Sequence, residues 1–174
     1  MFSQPFTGSH RIDIMPRKII VNISDAKVSN NQEEALITYS LGSCIGVSLY
    51  DPTTHIGGML HYQLPASAMD AQRAKEAPFM FADTGIKLLV DKILSMGANK
   101  KRIQVKIAGG AAMENGPAGF DIGKRNYLAL RKILWQYGMF IDSEDVGGSS
   151  PRNLTLNLAD GVVAVKVNGV EKMM

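Results

Sequence analysis

Three side chains near the start of this 174-residue chain are of the types that thiol chemistry needs: Thr38, Cys44 (the only cysteine) and His61 (one of three histidines). A thiolate is the attacking species, an imidazole can take and return its proton, and a hydroxyl can accept from a ring N–H to orient the imidazole. The spacing offers these groups a way to meet. Ile45, Val47 and Leu49 alternate with Gly46, Ser48 and Tyr50, the pattern of a half-buried strand. Asp51-Pro52-Thr53-Thr54 reads as a turn, and Ile56 to Tyr62 as a second strand. A turn centred near Pro52 or Thr53 puts His61 or Tyr62 opposite Cys44, and directly opposed residues have Cβ atoms about 5 Å apart. A slip of one residue would send the two groups to opposite faces, so the register decides the matter.

The residues alone leave alternatives open. A lone cysteine is also a small buried hydrophobe, a strand histidine can be satisfied by a backbone carbonyl, and Thr38 is an ordinary β-branched strand residue. What favours chemistry is the Gly42-Ser43 pair before the cysteine. It permits a tight bend that would present the thiol and aim the N–H groups of Gly42, Ser43 and Cys44 at a developing oxyanion. Asp51, the nearest carboxylate, is better explained as a turn residue.

Other chemistries find less support. One cysteine with His10, His55 and His61 shows no zinc-ligand spacing, so no metal is expected. Gly109-Gly110-Ala111 is not followed by the Gly-Lys-Ser/Thr of a phosphate loop, and no cofactor is expected. The net charge is +3, with lysine and arginine scattered except at Lys100-Lys101-Arg102, which argues against nucleic acid as a partner. No apolar run reaches the roughly 20 residues that span a bilayer, and the N-terminus lacks the apolar core of a signal peptide. Membrane insertion is therefore not expected, and the cytoplasm is the expected compartment.

The elements that must position these groups read as one domain over 18–174, preceded by a loosely ordered leader over 1–17. Strands are expected at 18–23, 36–39, 45–50, 56–62, 102–108, 140–146, 154–158 and 162–167. Helical spacing of Ile86, Leu89, Val90, Ile93 and Leu94, and of Tyr127, Leu130, Leu134 and Tyr137, predicts two helices ending near Gly97 and Gly138. Segment 63–78 reads as a long irregular connection suited to a binding loop or lid, and 109–119 as turn-rich. Strands at both ends with helices between them make the fold class α+β, a layered sheet and helix sandwich.

In order and spacing, these residues resemble the CheD family of chemoreceptor glutamine deamidases. The likeness runs through Thr38 with Leu41-Gly42-Ser43-Cys44, Tyr50-Asp51-Pro52, Ile56-Gly57-Gly58-Met59 with His61 and Leu64-Pro65, Lys106 to Ala111, Ile122-Gly123 with Arg125-Asn126, and Asp145 with Gly147-Gly148 and Arg152. It spans about residues 18–167. Gln63 stands where the family often has an apolar residue, and Pro78 to Thr84 departs from its usual pattern. The resemblance implies Cys44 as nucleophile, His61 as general acid and base, and Thr38 as the residue that orients His61. It also implies a fold akin to the deamidase domain of the cytotoxic necrotizing factor toxins. Further implications are glutamine side chains on the cytoplasmic helices of chemoreceptors as substrate and CheC, a response-regulator phosphatase, as a partner. A non-catalytic role as stimulator of that phosphatase is the alternative.

Overall fold

The computed structural model describes residues 14–112 and 121–174. Among these, the chain runs β1 (Arg17–Ile20), β2 (Asp25–Ser29), β3 (Glu34–Leu41), β4 (Ile45–Asp51), β5 (Ile56–Tyr62), α1 (Ala71–Glu76), α2 (Ala82–Ser95), β6 (Gln104–Gly109), α3 (Ile122–Gln136), β7 (Ser143–Val146), β8 (Arg152–Asn157), β9 (Val163–Val167) and β10 (Val170–Met173). The strands form two five-stranded sheets, in the orders β1-β3-β8-β9-β10 and β2-β5-β4-β6-β7.

The alternation along β4 and β5 dictates how these layers stack. Ile45, Val47, Leu49, Leu60 and Tyr62 point to one face and pack with Ile86, Leu89, Ile93, Leu130 and Leu134 of α2 and α3. The intervening Tyr50 and Met59 point to the other face and pack with Leu36, Leu154, Leu156 and Val165 of the first sheet. Both strands are buried along their whole length, as expected of a sheet covered on both faces. The result is a mixed α+β arrangement of three layers: helices, second sheet, first sheet.

Several expectations need correction. Segment 63–78 is not irregular: 3-10 turns at Ser67–Met69 and Pro78–Met80 flank α1. Asp70 caps α1 by accepting from the Arg73 N–H at 2.9 Å, and the Asp83 carboxylate accepts from the Ser67 N–H at 2.9 Å and its hydroxyl at 2.7 Å. β2 and β10 were not expected either; both are short and at sheet edges. The first strand starts at Arg17, inside the expected leader, whereas residues 1–13 of that leader lie outside those described, as do 113–119 of the turn-rich segment. No helix of the described residues is long and apolar enough to cross a membrane.

Candidate active site

The β4–β5 hairpin closes through a four-residue loop, with Asp51 paired to Ile56. The Asp51 carboxylate accepts from the Thr53 N–H at 2.9 Å and its carbonyl accepts from the His55 N–H at 2.9 Å. This loop moves the register beyond the sequence-based expectation. His61 pairs with Gly46, and Tyr62 pairs with Ile45, so neither faces Cys44 directly. Cys44 stands just before β4, two residues from Gly46, and therefore shares a face with His61 as a diagonal neighbour. Its thiol packs at the edge of the cluster between the sheets.

Thr38 comes from the other sheet. Its side chain is fully buried and its Oγ1 lies 2.8 Å from His61 Nδ1, so this contact crosses the gap of the sandwich. The same hydroxyl donates to the Val21 carbonyl at 2.7 Å. A threonine hydroxyl has one proton, and that bond uses it, so toward the ring Thr38 can only accept. Nδ1 therefore carries the ring proton and Nε2 presents its lone pair. Nε2 is buried and has no hydrogen-bond partner among the described residues. Burial pushes the imidazole down to about 4 from its ordinary 6.5, and a base left in this state is neutral at physiological pH. Burial likewise pushes the Cys44 thiol up, a rise that its own backbone N–H opposes. At rest, the thiol and the imidazole on this face are therefore both neutral.

The bend at Cys44 is prepared upstream. The β3–β8 register shifts between Thr38 and Leu41, and Ser40 occupies the left-handed region at φ 57°. Such backbone costs about 1–2 kcal/mol for a residue other than glycine. It is held by a bond from the Ser40 N–H to Asn153 Oδ1 at 3.1 Å. After it the Gly42 N–H turns back onto the Ser40 carbonyl at 3.0 Å.

The three carbonyls of Gly42, Ser43 and Cys44 all point inward. They accept from the Ala111 N–H at 2.8 Å, Asn126 Nδ2 at 2.9 Å and the Gly110 N–H at 2.9 Å. Gly109 is what lets β6 come this close. A Cβ there would sit 2.1 Å from the Cys44 carbonyl oxygen, and its φ of +116° is one that only glycine adopts freely. Arg152, buried and paired with Asp145, donates to the Gly109 carbonyl at 3.3 Å and the Gly147 carbonyl at 2.6 Å, bracing this strand end. Sequence reasoning assigned no role to Gly109, Asn126 or Arg152, although each sits in a stretch that carries the family resemblance.

A cavity of about 280 Å³ opens beside His61, lined also by Thr38, Tyr39 and Ser40 with Ile20 and Ile23; Cys44 does not line it. Ile20, Ile23 and Tyr39 are each about half exposed, which gives the opening an apolar rim. The arrangement brings to one region a thiol, an imidazole of fixed tautomer and the hydroxyl that orients it, groups of the kinds that acyl transfer through a thioester can use.

Comparison with known proteins places this architecture in a family. The family described as "CheD chemotactic sensory transduction" matches residues 63–167. A protein of Solibacter usitatus named "Probable chemoreceptor glutamine deamidase CheD" is 51% identical over 155 residues, covering 89% of this chain and 92% of that protein. One of Syntrophus aciditrophicus, "Probable chemoreceptor glutamine deamidase CheD 1", is 47% identical over 151 residues, 87% of this chain and 94% of that one. A Clostridium tetani protein of the same name as the first is 40% identical over 153 residues, 86% and 91% of the two chains. The chain belongs to the CheD family.

Proposed function

We propose that this protein hydrolyses glutamine side-chain amides on the cytoplasmic helices of chemoreceptors, with Cys44 as nucleophile. The single observation that carries the reading is the Thr38 hydroxyl held between the Val21 carbonyl and His61 Nδ1, which leaves Nε2 as a free, unprotonated base. The activity in the relatives' names supplies the substrate class.

The steps follow from the neutral resting pair. As the substrate amide arrives, His61 Nε2 takes the thiol proton while Cys44 Sγ bonds to the carboxamide carbon. The carbonyl oxygen becomes an oxyanion. The N–H groups of Ser43 and Cys44 are its proposed donors, because each lies on a peptide whose carbonyl is anchored inward; the Gly42 N–H is already engaged with Ser40. His61 returns the proton to the amide nitrogen, the C–N bond breaks and ammonia leaves. The thioester is then opened by water, from which His61 removes a proton, giving glutamate and the restored thiol. Thr38 keeps Nδ1 protonated throughout. No cofactor takes part in the proposed sequence.

The test is incubation with a purified chemoreceptor cytoplasmic fragment, followed by mass spectrometry for conversion of glutamine to glutamate. Conversion by the native protein and none by Cys44→Ala is the expected result. Undiminished conversion by Cys44→Ala would overturn the thiol mechanism. Binding to a CheC-type phosphatase rests on the family likeness alone, and a pull-down with Cys44→Ala separates it from catalysis.

A further inference from the structure

We propose that Asn126 is a positioning residue that sets the plane of the Ser43–Cys44 peptide and, through it, the direction of the Cys44 N–H. The inference rests on the reading of Cys44 as nucleophile. Asn126 lies in the first turns of α3 and is completely buried. Its Nδ2 donates to two carbonyls, those of Ser43 at 2.9 Å and Gln63 at 2.7 Å. Only the nitrogen end of an amide can donate, so the side chain has one possible orientation.

A trans peptide is planar, with its C=O and N–H pointing in opposite directions. Gripping the Ser43 carbonyl from the α3 side therefore turns the Cys44 N–H away from α3 and toward the thiol, where it already acts on the sulfur. Of the three inward carbonyls of this bend, Gly42 and Cys44 are held by backbone N–H groups. Ser43 alone is held by a side chain. The second bond, to Gln63 two residues beyond His61, ties the same amide to the strand that carries the base. A third contact seats the residue: the Tyr62 hydroxyl donates to the Asn126 carbonyl at 2.7 Å. Asn126 Oδ1, by contrast, is buried without a partner among the described residues. The side chain thus gives up one end of its hydrogen-bonding capacity while its other end holds both arms of the site.

Two reactions of the same thiol separate this role from a merely structural one. Deamidation passes through an oxyanion that the Cys44 N–H would hold; alkylation by iodoacetamide is a displacement at saturated carbon, forms no oxyanion, and feels that N–H only through its weaker effect on the thiolate. Asn126→Ala is expected to lower kcat on the receptor fragment on the order of 100-fold, the effect of losing one oxyanion donor. KM should stay within about threefold and the alkylation rate of Cys44 should fall by no more than about tenfold, since neither passes through an oxyanion. Asn126→Leu, close to asparagine in shape and without a donor, serves if the alanine variant does not fold, and is expected to show the same split. An unchanged kcat in either folded variant would overturn the proposal. So would equal losses of deamidation and alkylation, which would mean that Asn126 holds the thiol or the fold rather than the N–H. If native protein converts glutamine and Cys44→Ala still does, the reading beneath the proposal fails, a result that involves no Asn126 variant.

Discussion

Replacing His61 with glutamine should change how stability responds to acid, by an amount that follows from the burial of the ring. In the folded protein the imidazole is pushed down to about 4, against 6.5 when solvated. Between these values the unfolded chain binds a proton that the folded chain refuses, so stability is fully present above 6.5 and is lost as pH falls toward 4. Lowering the pH from about 7 to about 5 should therefore cost the native protein about 2 kcal/mol through this one group. The depressed carboxylates of Glu34, Asp51 and Asp145 begin from ordinary values of 4.5, 3.8 and 3.8, so they act mainly below this window and are common to both proteins. Urea denaturation of native protein and His61→Gln at the two pH values isolates the difference, whatever the fixed cost of the substitution. Circular dichroism is the suitable probe, because the single tryptophan, Trp135, is 72% exposed and reports little on the core. The native protein should lose about 2 kcal/mol more than the variant between the two pH values. Equal losses, or a native protein that gains stability in acid, would refute the reasoning from burial.

Thr38→Val keeps the shape but strands both the Val21 carbonyl and the His61 ring proton; it should cost about 1–3 kcal/mol in urea denaturation. It should also slow ammonia release at least tenfold, a loss that Thr38→Ser largely restores. The rate of Cys44 alkylation by iodoacetamide should rise with pH through an inflection above 9.0, the ordinary thiol value, because burial opposes the thiolate. An inflection well below neutrality would instead indicate a resting thiolate–imidazolium pair. Gly109→Ala must move either β6 or the Cys44 bend; a loss of at least about 2 kcal/mol in thermal or urea unfolding, with turnover abolished, is expected.

The parts of the fold written in local periodicity were legible in the sequence. Alternation located β4, an apolar run after a turn located β5, and helical spacing located α2 and α3 to within a few residues. β10 escaped although Asn168-Gly169, both at positive φ, is the strongest short hairpin signal there is; its strand, Val-Glu-Lys-Met, is exposed along its length and shows no apolar face. α1 escaped because a single capping aspartate, not periodicity, marks a six-residue helix. The candidate site divided the same way. The hairpin brought Cys44 and His61 near one another but left His61 or Tyr62 as the residue on the cysteine's face; the loop length chosen by the Asp51 hydrogen bonds decided it. The link from Thr38 to His61 joins two sheets, and nothing in the local sequence fixes how those sheets stack. Asn126 occupies an inward position of α3 where a hydrophobic residue would be expected. A buried amide on an apolar stripe was the signal available there.

The division of the site between two sheets has a mechanical consequence. Cys44 and His61 belong to adjoining stretches of one hydrogen-bonded sheet, so small displacements carry them together. Thr38 rides on the other sheet and meets the imidazole only across a side-chain interface. Sliding one sheet over the other by about 2 Å would stretch that 2.8 Å contact, which lies across the gap, to the edge of hydrogen-bonding range while leaving the β4–β5 ladder intact. The imidazole would then be free to exchange its proton between the two nitrogens, and the nucleophile would face a base of the wrong tautomer. In the proposed mechanism the alignment of the layers acts as a clutch, engaging the chemistry only when the whole sandwich is in register.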